Sequence, residues 1–308
     1  MTDARLLTRA GELRSGRTPF VLATVVRAER PTSARPGDTA LVLPDGTLEG
    51  FVGGACAEST TRLEGLRMLA AGESGLLRIA PDGTATVDGV RTVANPCLSG
   101  GTLEIFFESV LPPTLVSVFG DAPVARALVR VGEALDHDVR AGTDPDAPIT
   151  PDTEAVVVAS HGRDEPAVLA AALRAGVPYV ALVASPRRAR GVLAELAALG
   201  VPRELCDRVR APAGLDIGAR TAPQVALSIY AQMLAAAPAV RENRRGDDDA
   251  RARPSGIATD PVCGMVVAAV SASLHVDHGS GTVYFCGPGC RQAFVDDPGR
   301  YAQAPESR

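Results

Sequence analysis

Lysine is missing from this chain of 308 residues, and all 31 basic residues are arginine. A P-loop ATPase needs its phosphate-binding lysine, and Schiff-base or pyridoxal chemistry needs an amine nucleophile, so neither mechanism can be built here. The arginine bias by itself reads as drift in base composition rather than selection for phosphate binding. A net charge of -5, with the two signs interspersed, gives no electrostatic footprint for nucleic acid. Long apolar runs are also lacking: none reaches the roughly 18 residues of a membrane span. The polar start, Met1 to Arg14, has no apolar signal-peptide segment, so a cytoplasmic protein is expected. Cysteine is sparse. Six residues are too few for a disulfide scaffold, which leaves metal ligation, catalysis or inert burial.

What is present has the grammar of an α/β protein with two domains and an appendage, as the length suggests at about 100 to 200 residues per domain. Residues 1–111 read as a mixed α+β domain. Phe20 to Val26 (FVLATVV) is a buried strand, and Ala40 to Leu43 enters a turn at Pro44, Asp45 and Gly46. Glu58 to Ala71 has helical spacing and stops at Gly72, while Thr102 to Glu108 alternates like a strand. Residues 112–238 alternate strands with helices of 10 to 15 residues, the pattern of a Rossmann-like, doubly wound parallel sheet. Its strands are placed at Thr114–Phe119, His137–Ala141, Ala155–Ala159 and Tyr179–Val183, and its last helix at Pro223–Ala237. Residues 239–256, with five arginines and four acids between Arg241 and Arg253, read as a mobile linker. The final unit, 257–304, is near the lower size limit for a self-sufficient core, so a metal staple is expected.

Three places carry chemistry. In the terminal unit, Cys263, Cys286 and Cys290 lie close in sequence, the last two in CxxxC spacing at a helix start, which suits a soft or borderline metal. His275 and His278 are available as a fourth ligand. In the α/β domain, Gly120 and Asp121 occupy the strand-to-helix corner where a dinucleotide-binding protein carries GxGxxG, but the second glycine is missing and Pro123 removes an amide donor. Conventional nicotinamide binding is therefore disfavoured, while a ligand crevice at the sheet's carboxyl edge, near Ser160, His161, Gly162 and Asp164, is expected. In the first domain, Gly53 and Gly54 precede Cys56 at a helix start, where the dipole favours a thiolate, and Cys97 stands beside Gly100 and Gly101. Cys206 has no such setting and reads as a small hydrophobe or surface thiol.

The series DPVCGM, YFC, CxxxF and PxxY over residues 258–301 resembles the YHS domain. That resemblance implies a small metal-binding module with a treble-clef-like fold, found in copper-handling and metal-traffic proteins. It places zinc or copper on Cys263, Cys286 and Cys290 and leaves the fourth ligand, His275 among the candidates, unfixed.

The stretch from Pro31 to Glu58 (PTSARPGDTALVLPDGTLEGFVGGACAE) and CLSGGTLEIFFE at Cys97 resemble the amino-terminal domain of the XdhC and CoxI family. Gly120 (GDAPVARAL), Ala159 (ASHGRDEPAVLAAAL), Tyr179 (YVALVASPRRA) and Ala213 (AGLDIGARTAPQVALSI) open segments similar to its Rossmann-like domain. The Gly120 loop is closer to the carbon monoxide dehydrogenase accessory branch. The resemblance implies an accessory factor that binds molybdenum cofactor, in molybdopterin or cytosine dinucleotide form. Such a factor assists terminal sulfuration and passes the cofactor to an apo molybdenum hydroxylase of the xanthine or carbon monoxide dehydrogenase type.

On that reading the protein is a maturation chaperone more than a conventional enzyme, with a cysteine desulfurase as sulfur donor, a homodimeric state, and neither nucleic acid nor membrane as partner. Cys56 would hold molybdenum or pass sulfur to it, with Cys97 as second thiol. The cofactor would sit in a cleft between the first domain and the α/β domain, against Arg35, Gly53, Gly54, Gly120, Asp121, His161, Arg187, Arg188, Gly214 and Asp216. Amides near Gly120 and Gly214, with arginines including Arg126, would meet its phosphates. The alternatives are an NAD(P)-dependent oxidoreductase and a metal carrier or sensor acting through the terminal module.

Overall fold

Phe20–Glu29 forms the long central strand of the first sheet because its apolar, β-branched residues pack well on a pleated surface. The computed structural model describes residues 4–81, 90–94, 101–248, 256–279 and 281–301. The chain forms two compact units, one made of Met1–Pro112 with Asp247–Arg308 and the other of Pro113–Gly246. In the first unit the order is α1 (Ala4–Ser15), β1 (Phe20–Glu29), β2 (Thr39–Val42), β3 (Leu48–Gly50), α2 (Ala55–Ala71), β4 (Gly75–Ala80), β5 (Val90–Ala94) and β6 (Thr102–Val110). The strands make one six-stranded sheet in the order β3-β2-β1-β6-β4-β5. Every pairing is antiparallel except β4 with β5.

Helix α2 crosses this sheet and buries Leu63 and Leu66 with Val42, Leu77 and Ile105. Gly65 lets the helix approach closely, since a Cβ there would lie 2.9 Å from the Val42 side chain. The helix ends where the glycine signal places it: Gly72 is left-handed at φ 68°, its N–H donates to Leu69 O, and Glu73 N–H donates to Met68 O.

The second unit contains β7 (Leu115–Phe119), α3 (Pro123–Ala134), β8 (Asp138–Gly142), β9 (Thr153–Val158), α4 (Glu165–Arg174), β10 (Tyr179–Leu182), α5 (Pro186–Ala198), α6 (Arg203–Cys206) and α7 (Ala222–Asp248). Its four strands are parallel in the order β10-β9-β7-β8. The period-two alternation of β9 decides the layering. Val156 and Val158 face Leu169, Leu173 and Leu196 of α4 and α5. Ala155 and Val157 face Leu128 of α3 and Ile229, Tyr230 and Met233 of α7. Helices therefore cover both faces, the doubly wound arrangement expected. Cys206 is buried beside Leu196 and Val201, its thiol 3.6 Å from Val201 O, and behaves as a small hydrophobe.

Helix α7 departs from expectation: it continues to Asp248, through the first half of the stretch read as a mobile linker. Arginine and glutamate are good helix formers, and a helix already propagating from Ala222 adds residues without a new nucleation cost.

The terminal segment comprises β11 (Ile257–Thr259), β12 (Val266–Ala268), β13 (Leu274–His278), β14 (Gly281–Phe285), α8 (Pro288–Asp296) and α9 (Pro298–Tyr301). Two antiparallel hairpins, β11-β12 and β13-β14, precede the helices. The segment shares a core with the first sheet: Ala268 is buried in the cluster containing Val42, Leu63 and Leu66, and Val270 packs against it. At the β2–β3 turn, a Cβ on Gly46 would lie 2.6 Å from a Val270 methyl. Its own core gathers Phe285, whose ring lies 5.3 Å from that of Phe294. Docking onto α2 thus supplies apolar burial that about 50 residues cannot supply by themselves. Val267 is fully buried, and such a side chain contributes about 1.5 kcal/mol or more.

Candidate functional site

Cys56 stands in the first turn of α2, where the sequence places it, and its surroundings come from the other end of the chain. Gly53 takes φ 134°, a conformation L side chains rarely adopt, and a Cβ there would lie 3.1 Å from Ala57 Cβ. Gly54 is the N-cap in extended conformation. The turn therefore presents Ala55 and Cys56 to a cavity of about 350 Å³, whose walls include Pro31, Thr32, Gly54, Cys56 and Leu103 from the first domain. The opposite wall is Cys286, Gly287, Pro288, Gly289 and Cys290. Gly287 is the N-cap of α8 and Pro288 its first residue. The two helix starts meet so closely that a Cβ on Gly287 would lie 3.2 Å from Ala55 Cβ. Both expose the positive end of a helix dipole to the same space.

The terminal thiols converge at this wall. Cys286 Sγ lies 3.5 Å from Cys263 Sγ and 3.7 Å from Cys290 Sγ. Ligand atoms of Asp260, Cys263, Cys286 and Cys290 all fall within 4.8 Å of one another, a donor set and spacing that fit a single metal ion. Asp260 is fully buried, and its Oδ2 accepts the Cys286 N–H at 2.8 Å and its Oδ1 the Val262 N–H at 2.9 Å. Burial works to raise its pKa, but these two amide bonds, together with bonds from the Cys286 and Cys290 thiols, outweigh it and hold the carboxyl below its usual range. Cys56 packs against Met265, Val267 and Cys286. Its thiol hydrogen-bonds that of Cys286 and, with burial and the Asp260 carboxylate, pushes the Cys286 thiol upward. Burial, then the Asp260 charge, pushes Cys290 up to about 12. Without a cation Cys286 and Cys290 hold their protons.

His275, expected among the ligands, lies outside this cluster. It sits on β13 opposite Tyr284, its ring 5.7 Å from the tyrosine ring, and its Nδ1 is 2.8 Å from Ser273 O. His278 packs edge-on against Phe294 at 5.3 Å. Asp260 was missed; the DPVC spacing that turns its carboxylate back to two amides was a usable signal. Cys97 lies outside the described residues. Arg35 is exposed, and its amide caps Asp38 Oδ2 at 2.8 Å.

In the α/β unit the strand order reverses between β8 and β9, on either side of β7, which opens a crevice beyond the carboxyl ends of β7 and β9. Gly120, Asp121 and His161 sit there as expected, but the groups expected to bind phosphate are already used. Gly120 takes φ 127°, its N–H donates to Gly142 O, and a Cβ would lie 2.3 Å from Ala159 O. Its glycine identity answers to chain packing. The Asp121 carboxylate pairs with Arg163, and its carbonyl accepts from Arg126. Arg188 places Nη1 2.7 and 2.6 Å from the two oxygens of the buried Glu165 carboxylate, and Nη2 donates to Val183 O. Glu165 also accepts the Gly162 amide at 2.9 Å.

Gly214, expected near a helix start, precedes α7 by a loop, and its N–H donates to Gln232 Oε1 at 3.0 Å. The amides of Gly120 and Gly214 themselves are both bonded within the fold. Asp216 lies in that exposed loop, 3.5 Å from the Gly218 amide. Arg187 remains exposed and lines a second cavity of about 450 Å³ with Ser185 and Gly162.

A parallel, doubly wound unit and a second unit with thiols at two helix starts define the class: an α/β protein with a Rossmann-like domain and a cysteine-bearing domain. Residues 13–80 match the XdhC and CoxI family and residues 116–233 the XdhC Rossmann domain, so the chain carries these two XdhC-family domains. Among curated proteins it is 27% identical over 256 residues to the uncharacterized protein YqeB of Escherichia coli, covering 74% of this chain and 46% of YqeB. The chain thus spans about half the length of that relative. It is also 27% identical over 262 residues to the molybdenum cofactor insertion chaperone PaoD of Escherichia coli, covering 69% of this chain and 82% of PaoD. A solved Bacillus halodurans structure described as a xanthine dehydrogenase aligns at TM-score 0.37 and 17% identity, covering 78% of this chain and 96% of the other. No helix among the described residues is long and apolar enough to cross a membrane.

Proposed function

We propose that the protein is an accessory factor for a molybdenum hydroxylase, which binds molybdenum cofactor and assists its insertion into the apoenzyme. The carrying observation is the cavity at the start of α2. It holds about 350 Å³, within the range of small-molecule pockets, and presents the Cys56 thiol beside Gly54 from a helix start. A thiol there is a soft ligand and a nucleophile, which fits a molybdenum centre carrying terminal sulfur. The family match and the likeness to an insertion chaperone support this reading. The cofactor itself supplies the redox metal and the dithiolene. The chain would supply a shaped slot, a thiol at molybdenum, and shelter from water.

The finer reading assigns Cys56, with Cys97 as second thiol, to sulfur handling, and a cysteine desulfurase as its donor. Arg187, an exposed cation lining the second cavity of the α/β unit, is offered to a phosphate or cytidine diphosphate group. The client is of the xanthine or carbon monoxide dehydrogenase type, the protein acts in the cytoplasm as a homodimer, and residues 257–304 act as a YHS-like metal module.

The test is molybdenum and pterin content of the protein purified from its own host, compared with Cys56→Ala, together with activation of the apo-hydroxylase. Loss of molybdenum and of activation is expected. Retention of both at wild-type levels would remove Cys56 from the function.

A further inference from the structure

We infer that Cys56 is the fourth thiol ligand of the metal held by the terminal cysteines, so that one ion clasps the carboxyl-terminal module onto the start of α2. Three observations carry this. Cys56 packs against the cluster that contains Cys286, its thiol bonds that of Cys286, and Cys56, Cys286 and Cys290 line one cavity, so thiols from both ends of the chain share one site. Asp260, whose carboxylate lies within 4.8 Å of the three terminal thiols, is fully buried and already accepts two backbone amides besides the Cys286 and Cys290 thiols, which suits an anchor for the Cys263–Cys286 loops. The histidine expected as fourth ligand is engaged elsewhere, against Tyr284 and Ser273.

The chemistry is coherent with a borderline divalent ion such as zinc. Four thiols each release a proton to solvent and the ion takes four sulfur donors, the tetrahedral set of a closed site. The resulting anionic centre lies between the N-termini of α2 and α8, whose dipoles favour negative charge. The clasp has a consequence for the proposed function, and that consequence rests on it: a Cys56 sulfur bound to zinc is not available to molybdenum or to a sulfur donor. Metal loading and cofactor handling would then exclude each other at one atom.

Cobalt(II) titration of the reduced, metal-free full chain tests the ligand set. One ion per chain is expected, with a thiolate-to-metal band that Cys56→Ser lowers by about a quarter and an affinity it lowers about tenfold or more, whereas Cys206→Ser alters neither. A second measurement needs no variant: zinc should slow iodoacetamide modification of Cys56 at least about tenfold, read by peptide mass spectrometry. An unchanged cobalt band and affinity in Cys56→Ser, or a Cys56 alkylation rate indifferent to zinc, would overturn the clasp. These outcomes involve no molybdenum, so they are distinct from failure of the proposed function, which the molybdenum content of Cys56→Ala reports.

Discussion

The two candidate sites differ in what their polar groups are free to do. At the switch point of the α/β unit, the arginines and glycines that resemble a phosphate site are largely occupied by one another: Arg188 with Glu165, Arg163 with Asp121, and Gly214 with Gln232. At the start of α2, the cavity gathers Cys56, Cys286 and Cys290 beside Thr32 and Ser33, and the partners of these thiols include one another and the Asp260 carboxylate. A charged residue at the right edge of a sheet is thus weak support for ligand binding until its own partners are counted. Thiols gathered around a common point are stronger, because a protonated thiol hydrogen bond is a weak reward for such convergence and a metal ion a large one.

The contrast between the two sites is open to measurement. The largest effect concerns metal binding at the thiol site. Coordination requires thiolates, while Cys286 and Cys290 are held protonated above their ordinary range. Lower pH therefore means more protons to displace, and zinc affinity should fall by more than about tenfold per pH unit between mildly alkaline and mildly acidic solution, as competition with a chromogenic chelator can read.

Next is Arg188→Ala. If Arg188 serves the buried Glu165 carboxylate, its loss should destabilise the α/β unit by about 3 kcal/mol in urea unfolding. An unaffected midpoint would return Arg188 to the list of free phosphate ligands. Asp260→Ala leaves the buried Cys286 amide without its acceptor and should cost about 2 kcal/mol, with faster hydrogen exchange at Cys286. The smallest stability effect belongs to Arg187→Ala, within about 0.5 kcal/mol because the side chain is exposed. Phosphate or cytidine diphosphate binding, followed by calorimetry, should weaken in that variant; binding equal to wild type would leave the α/β crevice without a cation of its own.

Much of the fold was legible because its signals are local. The α3 helix spans Pro123–Ala134 as expected, and β7, β9, β10 and α2 lie within three residues of their expected bounds, since each rests on an apolar period and a proline or glycine terminator. Strands β3, β4 and β5 were not read: the first is short, and the pairing of β4 with β5 is parallel, set by sheet neighbours far along the chain. The helical continuation past Ala237 was misread because a charged run favours solvent exposure in either state, and a helix already begun decides between them. At the site, Cys56 and the three terminal cysteines were legible as separate features, while Asp260 and the displacement of His275 were not.

From the sequence by itself came the exclusion of lysine chemistry, the α/β alternation, and the six cysteines with their glycine neighbours. Local patterns determine these, because period and backbone tolerance depend on nearby residues. Tertiary structure decided which groups remain available and which distant groups meet. It joined the carboxyl-terminal thiols to Cys56 by docking β12 on α2, and it withdrew Arg188 and the Gly214 amide by giving them partners within the fold. The physical reason is common to both: burial penalises a polar group that lacks a partner, and the partner is chosen by packing in three dimensions rather than by position along the chain.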